Sequence, residues 1–238
     1  TEVAHLLEGE SVAGQLGIGH TRWATHGPPT DVNSHPHVGG NGQVVLVHNG
    51  VIENYTKLRT QLQALGYAFL TATDTEAVAH LIAHHFDEQI KLGSDPTEIE
   101  TCVKAVEVSL QRLKGTYGLA IIFRDFPELL IAARNGSPLV LGVGRDEHFV
   151  ASDSAPLIGY TNEVVYLSDH EMAVLTPSHL EIIHRDDGKQ APRIQTLNQV
   201  SADIELGEYA HYMLKEIFEQ PQTIENALRG RLDEDDAT

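Results

Sequence analysis

The second half of the chain constrains the fold most. Tyr117–Phe123, Leu129–Ala133, Leu139–Val143, His148–Ser152, Val164–Leu167, Met172–Leu175 and Leu180–His184 are short apolar or alternating runs. Gly136, Pro138, Gly144, Asp153, Pro156, Pro177 and Gly188 separate them. Runs this short, broken by turn formers, predict antiparallel strands and hairpins. Ahead of them lie segments of helical period. Val78, Leu81, Ile82, Phe86 and Ile90 recur every three or four residues before Gly93. Ile99, Cys102, Val106, Leu110 and Leu113 repeat the pattern. Asp95, Pro96 and Glu98 read as that helix's cap, first-turn proline and capping-box acid, and Gly115 as its stop. Another helix is predicted over Glu53–Leu65, closed by Gly66. Helices beside blocks of hairpin strands predict an α+β domain with helices packed on sheets.

The remaining segments are less regular. Gly17–Trp23 and Gln43–Val47 read as strands that end at polar motifs, and Asp31–Gly42 as a loop rich in Pro, Gly, His and Asn. Asp186–Glu208 reads as polar and irregular. Tyr209–Leu228 reads as a last helix that Pro221 kinks or breaks. The acidic run Asp233–Asp236 reads as a solvated linker. The predicted organisation is one domain over 1–207 and a helix with an acidic linker over 208–238.

Charge narrows the partners. Sixteen Lys and Arg against 34 Asp and Glu leave −18, the wrong sign for tracking nucleic-acid phosphates. No apolar run has bilayer length, so no membrane span is predicted. No charged-then-apolar leader opens the chain. The 41% hydrophobic content is ordinary for a soluble globular protein. A single cysteine excludes an internal disulfide and fits a cytoplasmic setting.

Three short strings carry chemistry. Within His20-Thr21-Arg22-Trp23-Ala24-Thr25-His26-Gly27, Arg22 has a fork suited to an α-carboxylate. In Thr73-Asp74-Thr75-Glu76, Asp74 can pair with an α-ammonium or simply cap a helix. In His48-Asn49-Gly50, a side-chain amide and a backbone N–H can stabilise an oxyanion, although Asn-Gly is also a common turn dipeptide. Trp23 is read as either a packed aromatic anchor or a gate. Together the strings point to an amino-acid amide held for hydrolysis, but no nucleophile sits near them. Cys102 shares an apolar helix face and reads as a buried structural thiol. An N-terminal threonine is a known catalytic device, but the residues after Thr1 read as a helix start. The 14 histidines raise metal binding. His35 and His37 flank a proline and His84 and His85 are adjacent, so neither pair has the spacing of a zinc helix. Gly142-Val143-Gly144 lacks the third glycine of a dinucleotide loop. Neither metal nor cofactor is expected.

The chain resembles the glutaminase domains of the isomerising glutamine:fructose-6-phosphate aminotransferases, which are class II glutamine amidotransferases. The resembling strings run in family order from near residue 10 to near residue 230. They are Gly19–Gly27, Asn33-Ser34-His35-Pro36-His37, Val47–Asn54, Thr73-Asp74-Thr75-Glu76, Ala133–Val140 and His211–Pro221. The resemblance implies the fold of N-terminal-nucleophile hydrolases. That fold is a four-layer αββα sandwich, two stacked antiparallel sheets between helices, here with the first strands missing. It also implies that Arg22 holds the glutamine carboxylate, Asp74 its ammonium, and Asn49 and Gly50 the oxyanion. Thr25 and His26 would line the pocket, Trp23 would belong to a loop folding over glutamine, and His35 would support that loop. His20 and His48 would pack behind it. L-glutamine is the implied substrate. Fructose 6-phosphate would be met only through an isomerase region beyond the last helix, in a homo-oligomeric intact protein.

The family's nucleophile is a cysteine at residue one, whose own α-amino group is the base. This chain begins Thr1-Glu2-Val3, and Thr1–Leu7 resembles the family's short helix downstream of that cysteine. The expectation is a segment that lacks its nucleophile and is inactive alone. The alternative is a module that binds glutamine or glutamate without turning it over.

Overall fold

Two antiparallel sheets organise the chain. The computed structural model describes residues 14–197 and 206–228, with His5 and Gly9. The helix expected over Thr1–Leu7 and the acidic run Asp233–Asp236 lie outside the described residues. The strands are β1 (His37–Gly39), β2 (Val44–Ile52), β3 (Gly115–Phe123), β4 (Phe126–Asn135), β5 (Val140–Val143), β6 (His148–Ala151), β7 (Glu163–Tyr166), β8 (Glu171–Thr176), β9 (His179–His184), β10 (Gly188–Gln190) and β11 (Gln195–Thr196). The large sheet runs β1-β2-β3-β4-β8-β9-β10 and the small one β11-β7-β5-β6. The helices are α1 (Tyr55–Ala64), α2 (Asp74–Lys91), α3 (Ile99–Leu110) and α4 (Tyr212–Leu228). Residues 1–197 form one unit and 198–238 a second, whose described part holds α4.

Strict alternation along the central strands builds two cores from one sheet. Tyr117, Leu119, Ile121 and Phe123 of β3, Leu129, Ile131 and Ala133 of β4, and Met172 and Val174 of β8 face α1–α3. Their neighbours Ala120, Leu130, Ala132, Ala173 and Leu175 face Leu139, Leu141, Val165 and Leu167 on the small-sheet side. Burial on both faces explains why these strands read as continuous apolar runs. The outer face of the small sheet carries a lesser cluster of Val140, Val164 and Leu157. The result is the α+β domain that the sequence pattern predicts, with the stacked antiparallel sheets that the resemblance implies. Among the described residues of 1–197, the α-helices all lie on the large-sheet side. A trench of about 850 Å³ opens between the sheets, lined by Leu16, Ile18, Val47, Ala120, Leu130 and Leu175 among others.

Helix ends follow local chemistry. α1 closes with the Gly66 and Tyr67 N–H groups on the Gln63 and Leu62 carbonyls, at 3.0 Å each. α3 starts at Ile99, later than the predicted cap at Asp95. The Asp95 carboxylate is used locally, accepting from Thr97 N at 2.8 Å and Thr97 Oγ1 at 2.6 Å, so the turn precedes the helix. α4 continues through Pro221, which therefore does not break it.

Several expectations fail for want of long-range information. Gly17–Trp23 forms no strand; it has no ladder partner among the described residues, and Arg22 adopts a left-handed φ of 56°. The predicted loop 31–42 contains β1, brought against α2 by Gly39, where a Cβ would overlap the Ala79 carbonyl. The irregular stretch after Asp186 contains β10 and β11.

Cys102 is fully buried among the α1–α3 core residues, and burial pushes its thiol up to about 12. Labelling of the native protein by a thiol reagent at pH 8 is expected to run at the rate of unfolding. Modification as fast as that of a small free thiol would contradict the packing.

Candidate active site

At the start of α2 the capping role that Asp74 could have taken falls to its neighbour. Thr73 is the N-cap, and its Oγ1 accepts from Glu76 N at 3.2 Å. Asp74 is then the first helical residue and its carboxylate is released from capping. Asp74 is 2% exposed, and its Oδ2 accepts from Ile52 N at 2.9 Å. Its position at a helix N-terminus favours the negative charge. Glu76 turns back to the preceding loop. Its Oε1 accepts from Leu70 N at 2.7 Å and its Oε2 from Thr71 N at 2.8 Å. Burial raises the Glu76 pKa, but bonds from His80, Leu70 and Thr71 outweigh it and hold the group at about 2.

Asn49-Gly50 is not a turn. β2 continues through both residues to Ile52, paired with β3 along its whole length. β1 pairs only with Val44, Val45 and Leu46, so β2 has an open edge beyond them. Backbone N–H groups alternate in direction along an antiparallel strand. His48 N donates outward to His35 Nδ1 at 3.2 Å, and Ile52 N donates outward to Asp74. By the same alternation the Gly50 N–H, between them, faces the open edge. Gly50 has φ 127°, and a Cβ there would overlap the Thr116 carbonyl. Only glycine fits this backbone at this distance from β3.

The loop ahead of β1, from Arg22 to Asn33, is closed by Arg22. One terminal nitrogen donates to the Asn33 carbonyl, and the other to the His26 carbonyl at 3.0 Å and more weakly to Gly27 at 3.5 Å. The fork expected to face a carboxylate therefore holds its own loop. Arg22 Nε remains buried without a hydrogen-bond partner, as does His26 Nδ1. His26 Nδ1 lies 3.6 Å from Asp74 Oδ1, and its ring sits edge-on to Tyr55 at 4.7 Å. Trp23 is 89% exposed, which rules out the packed-anchor reading.

All eight residues singled out as candidates, Arg22, Trp23, Thr25, His26, His35, Asn49, Gly50 and Asp74, line one cavity of about 220 Å³. It is smaller than the roughly 300–1,000 Å³ typical of drug-sized ligands. His20, His48, Thr73 and Thr75 line it too. Despite the histidines, no three or more His, Cys, Asp and Glu among the described residues converge as metal ligands do.

Behind the cavity the histidines form an ordered network. His35 Nδ1 accepts from His48 N, so a neutral His35 ring carries hydrogen on Nε2, facing Thr75 Oγ1 at 3.3 Å. His48 Nε2 faces the Thr116 carbonyl at 3.3 Å, leaving Nδ1 to accept from Thr75 Oγ1 at 3.2 Å. Burial chiefly, with the adjacent His20, His37, His48 and Arg22, pushes His35 down to about 3. Burial likewise lowers His48, against the opposing pull of Asp74 and the Thr116 carbonyl. Sequence reasoning passed over Thr75 as a functional hydroxyl and missed Thr116. Thr75 lay inside a quoted motif, whereas Thr116 reaches the site only through β2–β3 pairing and leaves no local signal.

This sets a pH dependence. His35 protonates near pH 3 when folded and near 6.5 when unfolded. Its contribution is fully present above pH 6.5 and is lost as pH falls toward 3, because the unfolded chain binds the extra proton. One proton is worth at most ~1.4 kcal/mol per pH unit. His35→Gln is expected to reduce the slope of urea-unfolding free energy between pH 6.5 and 4.5 by up to that amount. An unchanged slope would show that His35 is not held neutral.

Residues 20–158 match the model of the family described as glutamine amidotransferase domain. Among curated relatives, the isomerising glutamine–fructose-6-phosphate aminotransferase of Acinetobacter baylyi is 47% identical, over 96% of this chain and 36% of that protein. The enzyme of the same description from Bacteroides thetaiotaomicron is 42% identical, over 98% of this chain and 36% of its own length. The chain thus spans about a third of these curated relatives. Among solved structures, the glutamine phosphoribosylpyrophosphate amidotransferase of B. subtilis superposes with a TM-score of 0.54 at 28% identity, covering 71% of this chain and 35% of that one. With its family model covering more than half its length, the chain belongs to the glutamine amidotransferase domain family.

Proposed function

We propose that the cavity binds L-glutamine and that these residues are the substrate-holding and oxyanion-stabilising part of a glutaminase. One observation carries the reading. A buried Asp74 carboxylate faces the open edge of β2 at Asn49 and Gly50, in a cavity where Arg22 Nε and His26 Nδ1 are buried and unpartnered. Buried polar groups are normally paired, so such a cavity suits a small ligand bearing both signs of charge. Asp74 takes the α-ammonium. Arg22 offers Nε–H to the α-carboxylate while its terminal nitrogens hold the loop. Thr25 and His26 line the chamber, Trp23 covers it as the exposed tip of that loop, and His35 supports it from behind.

The side-chain amide of glutamine then lies against Asn49 and Gly50. Attack by a thiolate turns its carbonyl oxygen into an oxyanion, which accepts from the Asn49 side chain and the Gly50 N–H. Ammonia leaves, and water releases glutamate from the thioester. An oxyanion donor of this kind contributes about 10²–10³ in kcat. The thiol is not Cys102, which is sealed in the helical core. Thr75 Oγ1 faces His48, a natural base, but Thr75 is 1% exposed and its hydroxyl links two rings. Neither Cys102 nor Thr75 serves, and this reading takes the thiol from a part of the intact protein outside these 238 residues. In the whole protein the ammonia passes to fructose 6-phosphate in an isomerase region, giving glucosamine 6-phosphate, within a cytosolic homo-oligomer. The names and greater length of the curated relatives support the transfer to fructose 6-phosphate in a further region.

The lack of a reactive thiol at the cavity among the described residues favours a second reading, a module that binds glutamine without turnover. Calorimetry and an ammonia assay separate the two. The 238 residues alone are expected to bind glutamine or glutamate and release no ammonia. Asp74→Asn removes a charge-assisted bond of about 1.5–3 kcal/mol and should weaken binding at least tenfold. Undiminished binding by Asp74→Asn would overturn the site. Binding by the intact protein with no glutamate released would favour the module.

A further inference from the structure

The orientation of the Asn49 amide decides whether it can serve an oxyanion, and the structure contains a device that sets it. One backbone donor has no alternative partner. The backbone N–H of Arg22 points at His20 Nδ1 at 2.8 Å, so Nδ1 must accept. A neutral imidazole then carries its hydrogen on Nε2. That Nε2 lies 2.7 Å from the Asn49 side chain. An N–H there needs an acceptor, so the atom it meets is Oδ1 and the amide NH₂ points elsewhere. Asn49 Nδ2 finds no protein acceptor among the described residues, and Asn49 lines the cavity.

The His20 ring is itself held. It stacks on His35 with centroids 4.4 Å apart and planes 22° apart. His35 is tethered at both nitrogens, to His48 N and Thr75 Oγ1. The backbone of Arg22, the ring of His20 and the amide of Asn49 thus form one directional chain.

We propose that His20 is a positioning residue that locks the Asn49 carboxamide with its NH₂ toward the oxyanion. Oxygen and NH₂ are nearly the same size, so packing alone does not choose between the two orientations. The flipped amide would present lone pairs to a developing negative charge and oppose the reaction. The hydrogen bond from His20 Nε2 removes that state. The role rests on the glutaminase reading, and its test has one arm that does not.

Nitrogen-15 spectroscopy of the histidine side chains in the intact protein reads the tautomer directly. His20 is expected as the Nε2–H form with Nδ1 unprotonated. An Nδ1–H tautomer overturns the proposal, whatever the protein does with glutamine. The second arm compares His20→Phe with His20→Gln. Phe keeps the stack on His35 and loses the donor, whereas Gln restores an N–H donor at similar reach. His20→Phe is expected to lower kcat for glutamine hydrolysis by about 10–100-fold, part of the value of an oxyanion donor, with KM changed less than threefold. His20→Gln should recover most of that loss. Melting curves check that both variants fold. A Phe variant with wild-type kcat, or equal losses in Phe and Gln, overturns the positioning role. Wild-type protein that releases no glutamate would instead remove the glutaminase reading and leave the tautomer to decide how the Asn49 amide is held.

Discussion

The site depends on one hydrogen bond, from the Ile52 N–H to the buried carboxylate of Asp74 at 2.9 Å. It joins the open edge of β2 to the first residue of α2. Two consequences follow from that junction. The edge of β2 is protected from pairing with another strand without being covered by one. The carboxylate is also fixed two residues from Gly50, with the helix N-terminus behind it to stabilise its charge. An ionised carboxylate is costly to bury without partners. The Ile52 N–H and the helix start supply part of that compensation.

The same edge explains why three outward-facing N–H groups fall at alternate residues. His48, Gly50 and Ile52 turn their N–H groups the same way because the strand repeats every two residues. The first is taken by His35, the third by Asp74, and the middle one is left to face the cavity. Glycine at the middle position lets β3 run close, because any side chain would meet the Thr116 carbonyl. That carbonyl also faces His48 Nε2, so the partner strand orders the ring network as well as fixing the edge.

Legibility in the sequence divides along the range of the interactions. The strands from Tyr117 onward were readable because apolar side chains alternate between two cores, and the helices because Leu81, Ile82 and Phe86 repeat on one face. The residues of the cavity were readable as motif strings. Their geometry was not. Asn49-Gly50 looks like a turn locally, and only pairing with Gly118 and Tyr117 makes it strand. Asp74 looks like a cap, and only the competing Thr73 hydroxyl shows that it is free. Arg22 looks like an open fork, and only the loop's return through Asn33 shows its terminal nitrogens already engaged. The strand pairing of Asn49-Gly50 and the loop closure by Arg22 depend on residues ten to seventy positions away, which no local pattern records.

The central claim is that Asp74 and the Asn49–Gly50 edge grip opposite ends of one glutamine molecule. A crystal structure of the protein with glutamate or glutamine bound tests it most directly. The account predicts the α-ammonium within hydrogen-bonding distance of Asp74 and the side-chain carbonyl oxygen directed at Asn49 Nδ2 and Gly50 N. Ligand bound instead in the trench between the sheets, or in this cavity with its ammonium away from Asp74, would contradict it.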